Sequence, residues 1–173
     1  MSGRRVLSKR MRCMFDTTTF NRIVESGLPV GFIMENIEIF ATSLQWYEIN
    51  NTKNQEKRSK LNEVFIEIFS NPTRSIDGSV PRDEILTWIK SKWGDSNWAD
   101  DGTKPLSWRI KEELDKIEKK KNNVIDAGIG GIAVENNLLL VTDDENLRKI
   151  VENIGGKSIR FRELVMRASG MTI

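Results

Sequence analysis

The chain has 173 residues, enough for one ordinary domain with a single core and too few for two full domains. Hydrophobic residues make up 38% and charged residues 30%, as in a soluble globular protein, and a formal charge of only +2 excludes a polyanion binder that acts through overall charge. The chain has no His, which excludes an imidazole base or metal ligand, so a catalytic site must use carboxylates, hydroxyls, Lys or the single Cys13.

The cysteine content and the hydropathy of the sequence indicate in which cellular compartment the protein works. The single cysteine cannot form an internal disulfide, which indicates a reducing environment. No apolar run approaches the roughly 20 residues that span a bilayer, and the basic lead at residues 1–10 is not followed by the uncharged apolar stretch of a secretory signal. We therefore expect a cytoplasmic protein with no membrane partner.

The first predicted elements are a strand and two helices. Residues 11–15 have the composition of a short strand, and the polar residues after them are suited to cap a helix. Apolar side chains at helical spacing continue to Gly27, which ends this first helix. Pro29 then opens a second, short helical pattern.

The same order of strand and helix follows once more. Residues 37–40 predict a second strand, which leads through residues 41–43 into a helix that contains Glu48. Residues 50–60 are polar, and the apolar spacing over residues 61–69 predicts an amphipathic helix. The β-then-α order thus occurs twice in the first half of the chain.

The middle of the chain differs in composition. Residues 70–108 are rich in Gly and Pro, which predicts a helix-and-loop insertion, and they hold four of the five Trp: Trp88, Trp93, Trp98 and Trp108. These rings either fill a small satellite core or stack on unpaired bases. The charged residues 109–121 predict an exposed helix.

The last part returns to alternating elements. A junction at residues 122–126 precedes a helix, and the run Leu138–Val141 predicts a buried strand. A helix over 145–153 and a final strand over 157–161 complete the pattern. Strands that alternate with helices predict an α/β domain with a mostly parallel central sheet.

Five acidic residues stand at or near these junctions: Asp16, Glu48, Asp126, Asp143 and Asp144. In a parallel α/β sheet, ligands bind beyond the carboxyl ends of the strands, where such acids would meet. A carboxylate cluster without His or Cys is an all-oxygen site of the kind that Mg²⁺ or Mn²⁺ prefers. A single Asp at a junction is equally well explained as a helix cap, and this alternative applies to Asp16.

Four segments that contain these acids resemble, in order and spacing, the acidic motifs of PIN-domain nucleases. The segments are Phe15–Phe20, Ala41–Glu48, Asn123–Ala127 and Leu140–Leu147. The resemblance covers roughly residues 11–69 and 110–165. Within the family, the sequence is most similar in type to the bacterial VapC toxin ribonucleases. It implies one PIN-like domain over residues 1–173, folded as a three-layer α/β/α sandwich with the Trp-rich segment as an insertion.

The resemblance also implies a site and a reaction. It assigns the metal ligands and catalytic residues to Asp16, Glu48, Asp126 and Asp144, with Asp143 as the alternate ligand and Thr142 and Thr17 as supporting residues. The implied cofactor is Mg²⁺ or Mn²⁺. The implied reaction is endonucleolytic cleavage of RNA that leaves a 5′-phosphate and a 3′-hydroxyl. The implied partners are an RNA substrate, an antitoxin protein and a second copy of the chain.

Two features depart from the family pattern. Thr18 stands where the first motif usually has Asn or Ser, which leaves a hydroxyl at this position but no amide. Glycines at 128, 130 and 131 weaken the helix after Asp126, which is then either loosened or closely packed. A phosphate-binding loop is a further interpretation of these glycines, although the Gly-Lys-Ser/Thr ending of such loops is missing.

Two other functions remain open at this point. One is a catalytically silent PIN-like module that binds or regulates a partner. The other is a DNA-directed or structure-specific nuclease of a phage or defence system, because contacts to a ribose 2′-hydroxyl cannot be placed from sequence.

Overall fold

The computed structural model describes residues 10–35, 37–69 and 104–169. Most of the basic lead and of the predicted insertion, including Trp88, Trp93 and Trp98, lie outside the described residues. Within those three ranges, no helix combines the length and the apolar character that a membrane crossing requires.

Strands and helices alternate along the described chain. The first part comprises β1 (Met11–Phe15), α1 (Thr17–Ser26), α2 (Val30–Met34), β2 (Ile37–Phe40), α3 (Ser43–Asn50) and α4 (Gln55–Phe69). The second part comprises α5 (Leu106–Ile117), α6 (Asn123–Glu135), β3 (Leu139–Val141), α7 (Glu145–Asn153), β4 (Lys157–Ile159) and α8 (Phe161–Ala168).

The four strands of the described chain form one parallel sheet in the order β2-β1-β3-β4. Cys13 of β1 pairs with Ile39 on one side and with Leu139 on the other. The chain first builds outward from β1 to β2 and then crosses back to place β3 on the opposite side of β1. The order therefore reverses between β1 and β3, which is the position where open α/β sheets bind ligands. The predicted α/β class with a parallel sheet is confirmed.

Helices cover both faces of this sheet. Alternate residues of β1 point to opposite faces, so Cys13 and Phe15 belong to one core and Met14 to the other. The first core is packed by α1, α2, α4 and α8, the second by α5, α6 and α7, and α3 contributes to both. Two cores separated by a sheet are compatible with a three-layer α/β/α sandwich.

Cys13 lies in the middle of this arrangement. Its side chain is 0% exposed, and burial raises the pKa of the thiol to about 12. A thiol that stays protonated is a poor nucleophile. Cys13 is a small buried apolar residue of the core, as its place in a strand predicts.

The glycines after Asp126 lie inside α6 and are buried. A Cβ on Gly131 would lie 2.9 Å from the backbone nitrogen of Ser107 on α5, and one on Gly128 would lie 2.6 Å from Leu44 Cδ1. The glycines allow α6 to approach its neighbours closely. The interpretation as a phosphate-binding loop is therefore wrong, and that of a closely packed helix is confirmed.

Three predicted boundaries are wrong. The final strand ends at Ile159, and residues 161–168 form α8, which begins with a capping box between Arg160 and Glu163. The charged helix runs over 106–117, so Trp108 belongs to α5 and residues 118–121 do not. The polar stretch 50–60 is helical from Gln55 onward, because α4 exposes this first part to solvent.

Candidate metal centre

Three of the predicted acids, Asp16, Asp143 and Asp144, lie at the carboxyl edge of the sheet, where β1 and β3 end side by side. Asp16 follows β1 directly, and its backbone N–H donates to the carbonyl of Val141, the last residue of β3, at 3.0 Å. Thr142 to Asp144 continue from β3 into α7. The first and last acidic motifs thus meet where the strand order reverses.

Asp16 is buried with 2% of its surface exposed. Its Oδ1 accepts the Thr17 N–H at 2.7 Å, and its Oδ2 accepts the hydroxyls of Thr18 and Thr142 at 2.8 and 2.7 Å. Burial raises the pKa of Asp16, and repulsion from Asp144 adds to this, although the three hydrogen bonds oppose it. Asp16 caps α1, so the capping interpretation is confirmed and does not exclude a ligand role.

Two threonine hydroxyls join the motifs. Thr142 Oγ1 donates to Asp16 and accepts the backbone N–H of Asp144 at 3.1 Å. Thr18 Oγ1 donates to Asp16, lies 3.3 Å from Thr142 Oγ1 and accepts the Asp143 N–H at 3.3 Å. The hydroxyl of Thr18 therefore supplies a bridge between the two junctions at the position where it departs from the family pattern.

Asp144 caps α7. Its Oδ1 accepts the backbone N–H groups of Asn146 and Leu147 at 2.8 and 2.9 Å. The charge of Asp144 contributes to the raised pKa of Asp16 and of Asp126, so Asp144 acts electrostatically on both. Asp144 is therefore part of the acid cluster.

The Asp143 carboxylate forms its hydrogen bonds with residues outside the acid cluster. Its Oδ2 accepts Nε of Arg22 on α1 at 2.8 Å, and its Oδ1 accepts the N–H of Phe161 at the start of α8 at 3.2 Å. Both carboxylate oxygens thus connect β3 to neighbouring helices. This arrangement favours Asp144 over the alternate Asp143 as the acid that faces the cluster.

Glu48 reaches the site from α3. Buried Gln45, one turn earlier, donates to the carbonyl of Phe15 at 2.8 Å and so fixes α3 against the end of β1. Asn122 donates to Glu48 Oε1 at 2.8 Å, whereas Glu48 Oε2 and the Thr17 hydroxyl are buried without a hydrogen-bond partner among the described residues. Burial raises the pKa of Glu48, and repulsion from Asp16 raises it further. The nearby Thr17 hydroxyl and the Asn122 amide lower it.

Asp126 lies in the first turn of α6. Burial raises its pKa to about 8, with further contributions from the charges of Asp16, Glu48 and Asp144, while Lys120 lowers it. Three carboxylates therefore repel a fourth that is already poorly solvated. We call Asp16 and Asp144 the sheet-side acids, and Glu48 and Asp126 the helix-side acids.

The donor set can be tested against a divalent cation. It consists of carboxylate and hydroxyl oxygens, its charges repel one another, and Glu48 Oε2 is buried without a hydrogen bond, although the nearby Thr17 hydroxyl acts on this carboxylate. These properties fit Mg²⁺ or Mn²⁺. Among the described residues, no three acidic or Cys side chains are grouped closely enough to hold one metal ion. The types of donor atom therefore fit a divalent cation, but the side chains are not close enough together to form a complete ligand shell.

Sequence reasoning missed Asn122, which orients Glu48, and Lys120, whose charge acts on Asp126 and Asp144. Both lie in the connection that leads into α6, so closeness to Asp126 in sequence is the signal that points to them. It also missed an open cavity of about 360 Å³ beside Asp143 and Asp144. The residues that line it are Thr18, Asn21, Arg22, Glu25, Lys57, Asp143 and Asp144.

Comparison with known proteins adds no family. No model of a known protein family matches the chain, and no curated protein matches its sequence.

Proposed function

We propose that the protein is a Mg²⁺- or Mn²⁺-dependent endoribonuclease with a PIN-like fold. One observation carries this proposal: Asp16 and Asp144 lie at adjoining strand ends where the strand order of a parallel sheet reverses, and the charges of Asp16, Glu48 and Asp144 raise the pKa of Asp126. These are the same acids that the resemblance to PIN-domain nucleases selects.

Each residue has a role in the proposed reaction. Asp16 and Asp144 hold the cation directly, and Thr18 and Thr142 fix the orientation of the Asp16 carboxylate through their hydroxyls. Glu48 and Asp126 complete the ligand shell or orient the attacking water. The cation, when bound, lowers the pKa of water and stabilises charge on the scissile phosphate. Water would attack the phosphorus and form a new P–O bond while the bond to the 3′ oxygen breaks; the 3′ oxygen would leave with a proton as the 3′-hydroxyl, and the other product would carry the 5′-phosphate.

The proposed partners follow from the same site. The substrate is RNA, and an antitoxin protein would inhibit by covering the acidic cleft. A small gene directly upstream of this one would identify the protein as the toxin of a toxin–antitoxin pair. A second copy of the chain is a further partner.

Cleavage of a mixed pool tests the proposal. Purified protein is incubated with single-stranded RNA and with DNA of matched sequences, in Mg²⁺, in Mn²⁺ and in EDTA. We expect internal cleavage of RNA with either cation and none in EDTA. Cleavage of DNA alone identifies a DNA-directed nuclease instead.

If no cleavage is seen, calorimetric titration with Mn²⁺ shows whether the protein still binds the metal. Folded protein that binds Mn²⁺ without cleaving any nucleic acid would be a PIN-like module that has lost turnover. Folded protein that neither binds Mn²⁺ nor cleaves RNA would overturn the metal centre itself.

A further inference from the structure

Two lysines from different layers of the fold flank the acid cluster. Lys57, on α4, lines the 360 Å³ cavity together with Asp144 and Thr18. Lys120 lies in the connection between α5 and α6 that Asn122 joins to Glu48 through a hydrogen bond. The cluster thus has a cation on each of two sides, although the protein as a whole is nearly neutral.

Lys57 is the available cation of the cavity. Arg22, its other cation, pairs with Asp143 at 2.8 Å and with Glu25 at 3.0 Å. Lys57 has no ion pair with any residue that the structure describes. An ammonium group without a carboxylate partner can bind an incoming phosphate without first breaking a pair.

Lys120 is nearly as available. Its Nζ lies 2.7 Å from Glu118 Oε2, but both side chains are more than half exposed. An exposed pair of this kind contributes at most about 1 kcal/mol, so a phosphate can replace the carboxylate. Lys119 and Lys121 flank it and make this connection locally basic.

The two lysines lie in or next to helices that pack on opposite faces of the sheet. α4 packs on the core that contains Phe15, whereas α5 and α6 pack on the core that contains Met14. The acids lie between these layers at the sheet edge. A polyanion that crosses the acids from one layer to the other passes Lys57 on one side and Lys120 on the other.

We propose that Lys57 and Lys120 are positioning residues that bind the phosphates of single-stranded RNA on the two sides of the scissile bond. This inference rests on the proposed ribonuclease function and adds the path of the substrate. The cavity beside Lys57 is open to solvent, so a strand of RNA can lie across it. Cations on both sides require a substrate that continues in both directions.

The test measures binding without cleavage. Lys57→Gln and Lys120→Gln are made separately and together in an Asp16→Asn background, and binding of a labelled single-stranded RNA is followed by fluorescence anisotropy over a range of salt concentrations. We expect each change to weaken binding about two- to fivefold. The slope of log K against log salt should become shallower by about 0.7 for each lysine, the value for one phosphate contact on a single strand.

Matched controls lie on α4 and α5. Lys60→Gln and Lys116→Gln remove exposed lysines of these helices that do not line the cavity. Both should leave the affinity and the slope unchanged. Lys57→Arg and Lys120→Arg keep the charge and should restore binding, and all variants should keep the parent melting temperature.

The outcomes separate this inference from the proposed function. An unchanged salt slope in both Gln variants, or no RNA binding at any salt concentration, overturns the positioning role. If the chain with intact Asp16 still cleaves RNA in Mg²⁺ in that case, the nuclease function stands. In the active protein, the two Gln variants should raise KM and leave kcat nearly unchanged, because the lysines act away from the reacting atoms.

Discussion

The sheet-side acids accept five hydrogen bonds from described residues, whereas the helix-side acids accept one. Asp16 and Asp144 are caps of α1 and α7, so the turns that start these helices also fix their carboxylates. Glu48 and Asp126 project from within α3 and α6 and depend on packing between helices for their positions. Local chain geometry therefore fixes the sheet-side acids, whereas tertiary contacts fix the helix-side acids. The carboxylates of the helix-side acids are the ones with fewer hydrogen bonds to offset their charge.

The largest expected effect comes from the sheet-side half. Asp16→Asn should abolish cleavage, because it removes a charge that the cation needs while keeping nearly the same shape. The melting temperature should change little, since the amide and the two threonine hydroxyls can still form hydrogen bonds. RNA cleavage assays and thermal denaturation check this. Wild-type-like activity of the variant in Mg²⁺ would exclude Asp16 as a ligand.

Asp143 and Asp144 form a matched pair within one junction. Asp144→Asn should lower cleavage by more than about a hundredfold, as expected when a metal ligand or its partner is lost. Asp143→Asn should keep most of the activity and lower the free energy of unfolding by about 1 kcal/mol, because its bonds to Arg22 and Phe161 weaken. The reverse order of activities would show that the motif is shifted by one residue.

The helix-side half is sensitive to helix packing. Gly131→Ala should lower the free energy of unfolding by about 1–3 kcal/mol, because the new methyl group meets the backbone of Ser107 and forces α5 and α6 apart. Gly31→Ala is the control: it lies in α2 with open space around it and should be neutral or stabilising. Urea denaturation compares the two. Equal effects would mean that α6 does not need its close approach.

A further expected effect concerns pH. Asp126 has a pKa of about 8 in the folded protein, well above the ordinary value of an aspartate, so the folded state keeps a proton that the unfolded chain releases. This contribution to stability is complete below about pH 4 and is lost as the pH rises through about 8. Without metal, the melting temperature should therefore fall between pH 5 and pH 8.

Asp126→Asn is the matched control for the pH dependence, since it should flatten the curve over this interval. Saturating Mn²⁺ should raise the melting temperature more at pH 8 than at pH 5, because binding requires the deprotonated carboxylate. A rising melting temperature between pH 5 and pH 8 in the metal-free parent protein would show that Asp126 is not buried in its neutral form.

Much of the fold follows from periodicity in the sequence. The strands at 11–15 and 37–40 are short apolar runs, and their parallel pairing follows from the helices between them. α8 was not predictable in the same way, because Ile159 and Phe161 continue the alternation of β4. Its start depends on a capping box and on the bond from the Phe161 N–H to Asp143.

The site is predictable in part for a similar reason. Junction position alone indicates Asp16 and Asp144, because each also caps the helix that follows. It does not separate Asp144 from Asp143, since the choice depends on Arg22, which is distant in sequence. The orientation of Glu48 by Asn122 is equally non-local. The metal and the nuclease activity stay predictions.

The burial of Cys13 has a practical consequence. It is the only cysteine of the chain, it lies in the central strand β1, and its thiol stays protonated at neutral pH. A thiol reagent can therefore label the protein only when the sheet opens. The rate of labelling therefore measures how often the core opens. It can be compared in the presence and absence of Mn²⁺ without introducing any probe.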